Sequence, residues 1–142
     1  MEASEILIEK LKEFEGLRLD AYKDVAGVMT IGYGHTGSDV CKGDHISAYY
    51  ATELLKDDVG ECEAAVRRLR VARTQGQFDA LVSLAFNIGA ERLQGSTLLK
   101  VIREGGSKAQ ITREFKQWVY AGGQKLRGLE RRREWEAKRF FE

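Results

Sequence analysis

The sequence predicts an α+β chain: one helix, then a small antiparallel sheet, then helices to the end. Three observations predict it. Leu7, Leu11 and Phe14 recur at helical spacing in the first fifteen residues. The stretch "AYKDVAGVMTIGYGHTG" (Ala21–Gly37) joins short β-rich pieces to four glycines. From Ser47 onward the hydrophobic period is helical again. Segregated helix and strand elements define the class.

The first helix is expected from Ser4, a good N-cap, to about Phe14, with Gly16 where a C-terminal glycine belongs. "LDAY" and "VMTIGYG" read as strands around the turn-prone "KDVAG", and "TGSDVCKGDH" as a loop or further hairpin. A long helix follows from Ser47. Tyr50, Leu54, Leu55, Val59, Cys62, Val66 and Leu69 share one of its faces, and Gly60 weakens the pattern. "TQGQFDALVSLAFNIG" opens with a capping box, Thr74 and Gln77, and is apolar nearly all round, as a core helix is. Shorter helices are expected over Ser96 to about Arg103, Lys108 to about Tyr120 and Leu129 to about Phe141, with "AGG" breaking the chain between the last two.

At 142 residues the chain suits a single domain. Its expected parts are a sheet lobe over about residues 15–46, a connecting helix over about 47–70, and a helical lobe over about 71–142 that also takes in the N-terminal helix. With 43% hydrophobic and 32% charged residues it is of globular, not disordered, composition. No apolar run is long enough to span a membrane. The acidic, amphipathic start does not read as a signal peptide. Two cysteines, Cys41 and Cys62, with no CxxC, are too few for a disulfide scaffold and lack the spacing of a zinc site; they read as free thiols, a single bridge being the alternative that spacing does not decide. The net charge of +1 hides a split: residues 1–63 carry six Lys/Arg against fourteen Asp/Glu, leaving seventeen against eight in residues 64–142. A polyanionic partner for the second half, two mutually attracting lobes, or an uneven solvated surface each accounts for that.

Three side chains near the expected sheet carry chemistry. Glu15 ends the first helix, Asp24 lies in the turn and Thr30 on the following strand. Two carboxylates on separate elements, with a hydroxyl, suit glycoside hydrolysis. One carboxyl protonates the leaving oxygen; the other activates a water or attacks the sugar. On spacing alone, solvated surface charge explains such a pair as readily.

The stretch "EGLRLDAYKDVAGVMTIGYGHTG" (Glu15–Gly37) resembles the phage-type lysozymes, the endolysin family. So do "GQFDALVSLAFNIG" (Gly76–Gly89), "GSTLL" (Gly95–Leu99) and "W…AGG…GLERRREWE" (Trp118–Glu136), in the family's order over nearly the whole chain. The resemblance implies a lysozyme-like fold, with a cleft between the sheet lobe and a larger helical lobe. It implies cleavage of the β-1,4 bond between N-acetylmuramic acid and N-acetylglucosamine in peptidoglycan. Glu15 would be the general acid. Asp24 and Thr30 would hold and activate water on the opposite face, with inversion and with no metal or cofactor.

Tyr22 and Tyr33 are candidates to stack on sugars, and Gln94 and Ser96 to bond acetamido groups, although Ser96 serves equally as an N-cap. The resemblance pairs His35 with Asp58 as a structural ion pair, Asp57 being the neighbouring alternative. One of Arg131, Arg132 and Arg133 would face Glu15. Expected partners are glycan strands, with no nucleic acid and no membrane insertion; the basic tail lacks interleaved aromatics and carries four acids from Glu130 to Glu142. The chain is expected to be a monomer, made in the host cytoplasm and released through a holin-type pore. A peptidoglycan-binding module without catalysis is the alternative reading.

Overall fold

Capping fixes the start of the chain. In the computed structural model, which describes residues 1–142, Ser4 Oγ accepts from Leu7 N–H at 3.2 Å and opens α1 (Glu5–Glu15). Gly16, at φ +73°, returns its N–H to Lys12 O and ends it. The chain turns at once into β1 (Arg18–Lys23), then β2 (Met29–Gly32) and β3 (His35–Thr36), an antiparallel sheet in that order. Tyr22 stands opposite Thr30, and Ile31 opposite His35. The segment read as loop or hairpin does both: it loops out, then returns along the free edge of β1, where Ala21 N–H donates to Asp44 O and Ile46 N–H to Leu19 O, both at 2.9 Å.

The chain continues through α2 (Ala48–Leu69), α3 (Gln75–Ile88), α4 (Ala90–Gln94), α5 (Thr97–Arg103), α6 (Lys108–Phe115), the hairpin β4 (Tyr120–Ala121) and β5 (Gln124–Lys125), and α7 (Arg127–Phe140). Apolar burial forms two clusters. Ile31, Val40 and Leu54 make a small one against the sheet. The main one surrounds α3, whose residues Phe78–Ala85 are all buried. α2 serves both, giving Leu54 to the first and Ala51, Leu55, Val59 and Val66 to the second. Each such leucine contributes about 1.5–3 kcal/mol by leaving water, which outweighs the roughly 1 kcal/mol cost of Gly60 within the helix. None of the helices is long and apolar enough to cross a membrane.

Four local expectations are corrected. Tyr50, placed on the buried face of α2, is 51% exposed, because the first turn of α2 gives its inward position to the neighbouring Ala51, which is fully buried. The reciprocal bond of the expected Thr74 box goes one residue earlier: Thr74 Oγ1 accepts from Gln77 N–H, but Gln77 Oε1 accepts from Arg73 N–H at 2.9 Å. α6 stops at Phe115, not near Tyr120, because Gly122 and Gly123 both take positive φ and close a hairpin that claims Tyr120 as a strand residue. The short α4, which the hydrophobic period does not announce, fills the step between α3 and α5.

Polar side chains on α3 are satisfied from neighbouring helices. Asp79 is fully buried and accepts from Ser4 N–H and hydroxyl, the Gln75 amide and the Arg139 guanidinium. The bond from Asp79 holds Arg139 above its usual range. One carboxylate thus ties the start of α1 to α3 and to the end of α7.

Cys41 is exposed and Cys62 half-buried, and neither is bridged. Burial, with Glu61, Asp58 and Glu63 nearby, pushes the Cys62 thiol from 9.0 up to about 11. Alkylation at about pH 8 is therefore expected to label Cys41 first. Cys62 should react on the order of a hundredfold more slowly than an ordinary thiol, because a thiol raised that far keeps only about a hundredth of the thiolate. Mass spectrometry of timed samples measures this; equal rates in the folded protein would contradict it.

Candidate active site

Glu15 is the last residue of α1, at a helix end that the following glycine must turn. Its side chain keeps 22% of its exposure. Arg132, on α7, donates to Glu15 Oε2, and its guanidinium lies 5.1 Å from the centre of the Phe14 ring. Phe14 in turn meets Trp135 edge-on at 6.2 Å. The carboxylate is held from two sides, because Gly34 packs against it: a methyl group there would stand 2.9 Å from Glu15 Oε1. Gly34 also has φ +80°, so glycine satisfies both the close approach and the backbone.

The sheet delivers the other two residues. Asp24 closes the β1–β2 turn. Its Oδ1 accepts from Ala26 N–H at 2.8 Å and Val28 N–H at 2.9 Å, which fixes the carboxylate and leaves Oδ2 without a partner in the protein. Thr30, on β2 opposite Tyr22, is 3% exposed, and its hydroxyl donates to Val28 O at 2.9 Å. With the hydroxyl hydrogen committed, its lone pairs remain to accept. Gly34, two residues beyond β2, links this hairpin to the Glu15 carboxylate.

His35 joins the sheet to α2. Its Nδ1 lies 2.9 Å from Asp58 Oδ2, and its Nε2 lies 3.2 Å from Asp39 Oδ2. Burial of the ring opposes its charge, but the hydrogen bonds and charges of Asp58 and Asp39 outweigh that and raise the imidazole above 6.5. The His35 bond holds the exposed Asp39 carboxyl below 3.8. Asp39, missed in the sequence, stands only four residues after His35. A raised imidazole contributes stability that is full below its unfolded pKa and fades as pH rises through the folded one. A depressed carboxylate contributes stability that is lost as pH falls through its folded value. Both describe one interaction, whose window is mildly acidic. His35→Asn is expected to lower the melting temperature most near about pH 5 and least near about pH 9, because the contact weakens as rising pH removes the charge of the imidazole. Melting curves across that range check it; a deficit independent of pH would assign His35 to packing.

The remaining candidates differ in what their side chains are free to do. Tyr33 is 9% exposed and packed into the main core, with Lys12 Nζ 5.8 Å from its ring centre, so the ring is spent on packing instead of open to a sugar. Tyr22 keeps partial exposure, but the Arg18 guanidinium sits 4.2 Å from its ring centre. The Ser96 hydroxyl is consumed as the N-cap of α5, donating to Leu93 O and accepting from Leu99 N–H. Gln94 is exposed and lines a hollow with Arg68 and Arg103 that includes none of Glu15, Asp24 or Thr30. Of the three arginines, Arg131 is exposed, Arg132 meets Glu15 and Arg133 is fully buried.

Residues 12–136 match the family model described as phage lysozyme. The chain is 46% identical over 144 aligned residues to an endolysin of Bacillus phage B103, covering 99% of this chain and 54% of that protein. It is 42% identical over 127 residues to an endolysin of Salmonella phage P22, covering 86% of each. Among solved structures, the muramidase domain of SpmX from Asticaccaulis excentricus superposes with a TM-score of 0.89 at 37% identity, covering 99% of this chain and 98% of that one. The chain spans about half the length of the Bacillus phage relatives it matches.

Proposed function

We propose that this chain, which belongs to the phage lysozyme family, is a muramidase that hydrolyses the β-1,4 bond between N-acetylmuramic acid and N-acetylglucosamine in peptidoglycan, with inversion. The observation that carries the reading is the Glu15 carboxyl, gripped by Arg132 and overlain by Gly34 at the mouth of the hairpin that bears Asp24 and Thr30.

Each group has a defined task. Glu15, protonated, gives its proton to the glycosidic oxygen as the bond breaks. The carboxylate that forms is received by the Arg132 guanidinium, an interaction that strengthens as negative charge develops. Asp24 Oδ2 takes a proton from the attacking water as general base. Thr30, its own hydrogen held by Val28 O, accepts the water's other hydrogen and so aims its lone pair. The fixed Asp24 Oδ1 keeps this acceptor pair oriented without reorganisation. No step calls for a metal or cofactor.

Thr30→Ala is expected to slow wall lysis by about 10²-fold or more, whereas Thr30→Ser, which keeps the acceptor, should retain most activity. The test of the reading itself is digestion of purified peptidoglycan. New reducing ends on N-acetylmuramic acid, appearing first as the α anomer, are expected. Reducing ends on N-acetylglucosamine, or binding without cleavage, would overturn it; the latter would make the chain a wall-binding module. In this reading the whole of residues 1–142 acts as one catalytic unit, monomeric, on walls reached from the host cytoplasm through a holin-type pore.

A further inference from the structure

The helical part carries a second concavity, of about 380 Å³, with no residue of the catalytic group in its lining. Its rim holds Arg70, Arg73 and Arg103. Its floor is apolar, formed by Val71, Ile102, Ile111, Phe140 and Phe141. No carboxylate lines it; Glu104 lies in the neighbouring hollow shared with Arg103. None of the three arginines makes an ion pair. Arg103 donates only to Leu69 O, at 3.3 Å.

Dipole compensation accounts for Arg103, in the last turn of α5. It also favours the charge of Arg70, the C-cap of α2, but not that of Arg73. Arg73 directly precedes the N-cap of α3, where a positive charge is disfavoured. Arg70 is the one non-glycine residue with positive φ, +55°, at a helix end where glycine would be unstrained. One guanidinium charge, that of Arg73, and one strained backbone, that of Arg70, therefore stand against local preference around an apolar groove in the basic half of the chain. A planar fork of donors matches a phosphate better than a point charge does, and the apolar floor offers contact to the carbons between phosphates.

We propose that this groove binds phosphate esters of a small polyol, an anchoring site separate from the catalytic group. The same chemistry occurs in phosphodiester polymers of a wall and in anionic lipid headgroups. The probes are poly(glycerol phosphate) oligomers, phosphatidylglycerol vesicles and phosphatidylcholine vesicles, with binding measured in the absence of hydrolysis so that the result is independent of the muramidase reading. The parent should bind the oligomer, and affinity should fall on the order of tenfold or more between about 50 and 200 mM salt. The triple variant Arg70→Gln, Arg73→Gln, Arg103→Gln should lose about tenfold or more of that affinity, while digesting polymer-free peptidoglycan as the parent does. Arg70→Gly gives a sharper reading: it should raise the melting temperature by relieving the strained φ and yet weaken binding. Binding to the oligomer, lost in the triple variant, places the phosphate on a wall polymer; binding to phosphatidylglycerol vesicles alone overturns this in favour of a lipid headgroup. No binding to either, tighter binding to phosphatidylcholine or to a single-stranded oligonucleotide, or an unchanged affinity in the triple variant overturns the proposal.

Discussion

Glu15→Gln is expected to give a folded protein whose lysis of purified walls is slower by about 10²–10⁴-fold, the range that a general acid contributes. Glutamine keeps the shape and still offers Arg132 an oxygen to bond, so the clasp between α1 and α7 survives in weakened form. What is lost is the proton for the leaving oxygen and the charge that Arg132 would receive. Because the carboxylate retains part of its hydration, removing one partner should cost at most about 1–2 kcal/mol of stability. Lysis rates and melting curves on the same preparations separate the two effects. Lysis within tenfold of the parent would remove Glu15 from the mechanism, and an unfolded product would be answered by Glu15→Asp, which keeps the charge but shortens the reach.

Arg133→Met is expected to cost about 3–5 kcal/mol, the largest loss of stability of any single change considered, and a large part of the roughly 5–15 kcal/mol that holds a domain together. Arg133 and Glu136 are both fully buried on α7. Arg133 Nη1 donates to Trp118 O at 3.1 Å and Nη2 to Glu136 Oε2 at 3.2 Å; Ser83 Oγ donates to the same oxygen at 2.5 Å. The closest approach, Nε to Oε1 at 2.7 Å, is a charge contact too bent to count as a hydrogen bond for either atom. Burial pushes the guanidinium down and the carboxyl up, each acting against its own charge; Glu136 offsets this for Arg133, and Arg133 offsets it for Glu136, with smaller help from the Ser83 hydroxyl and Arg132. Methionine leaves Glu136 buried with only the Ser83 hydroxyl bonded to it and no charge in direct contact. With its pKa raised, the native state of the variant binds a proton that the unfolded state releases, so the deficit shrinks as pH falls. Urea unfolding of Arg133→Met, of Glu136→Leu and of the double variant Arg133→Met, Glu136→Leu tests this. The double variant should recover at least half of the loss, and a loss equal to the sum of the singles would show that the two charges act independently.

Legibility in the sequence follows the scale of the interaction. α1, the β1–β2 hairpin and α3 are readable because their caps, glycines and hydrophobic period act over a few residues. Spacing and resemblance point to Glu15, Asp24 and Thr30, but only folding shows Gly34 against Glu15 and the Thr30 hydrogen already committed to Val28. The β4–β5 hairpin reads as a mere break because two consecutive glycines in "AGG" suit either outcome until the flanking strands pair. The buried Arg133–Glu136 pair leaves a trace that charge-based reading overrides. Leu129, Ala137 and Phe140 define a stripe on α7, and both charges fall on it. Residue type says surface, whereas helical register says core. Asp79 is hidden in the same way on α3. Long-range partners such as Ser83, Trp118 and Arg139 have no sequence signal at all, because they are brought in by packing.

The ion pair between Glu15 and Arg132 joins residues 117 positions apart. The hairpin that carries Asp24 and Thr30, by contrast, closes over a handful of residues, and local contacts form long before distant ones. If the chain acts as proposed, competence to hydrolyse is therefore expected to mature last, when α7 seats three of its arginines: Arg132 on Glu15, Arg133 in the core and Arg139 on Asp79. A chain whose sheet and central helix are already ordered but whose α7 is undocked holds its reactive groups unassembled, so recovery of lytic activity during refolding should lag the secondary structure and coincide with the seating of that one helix.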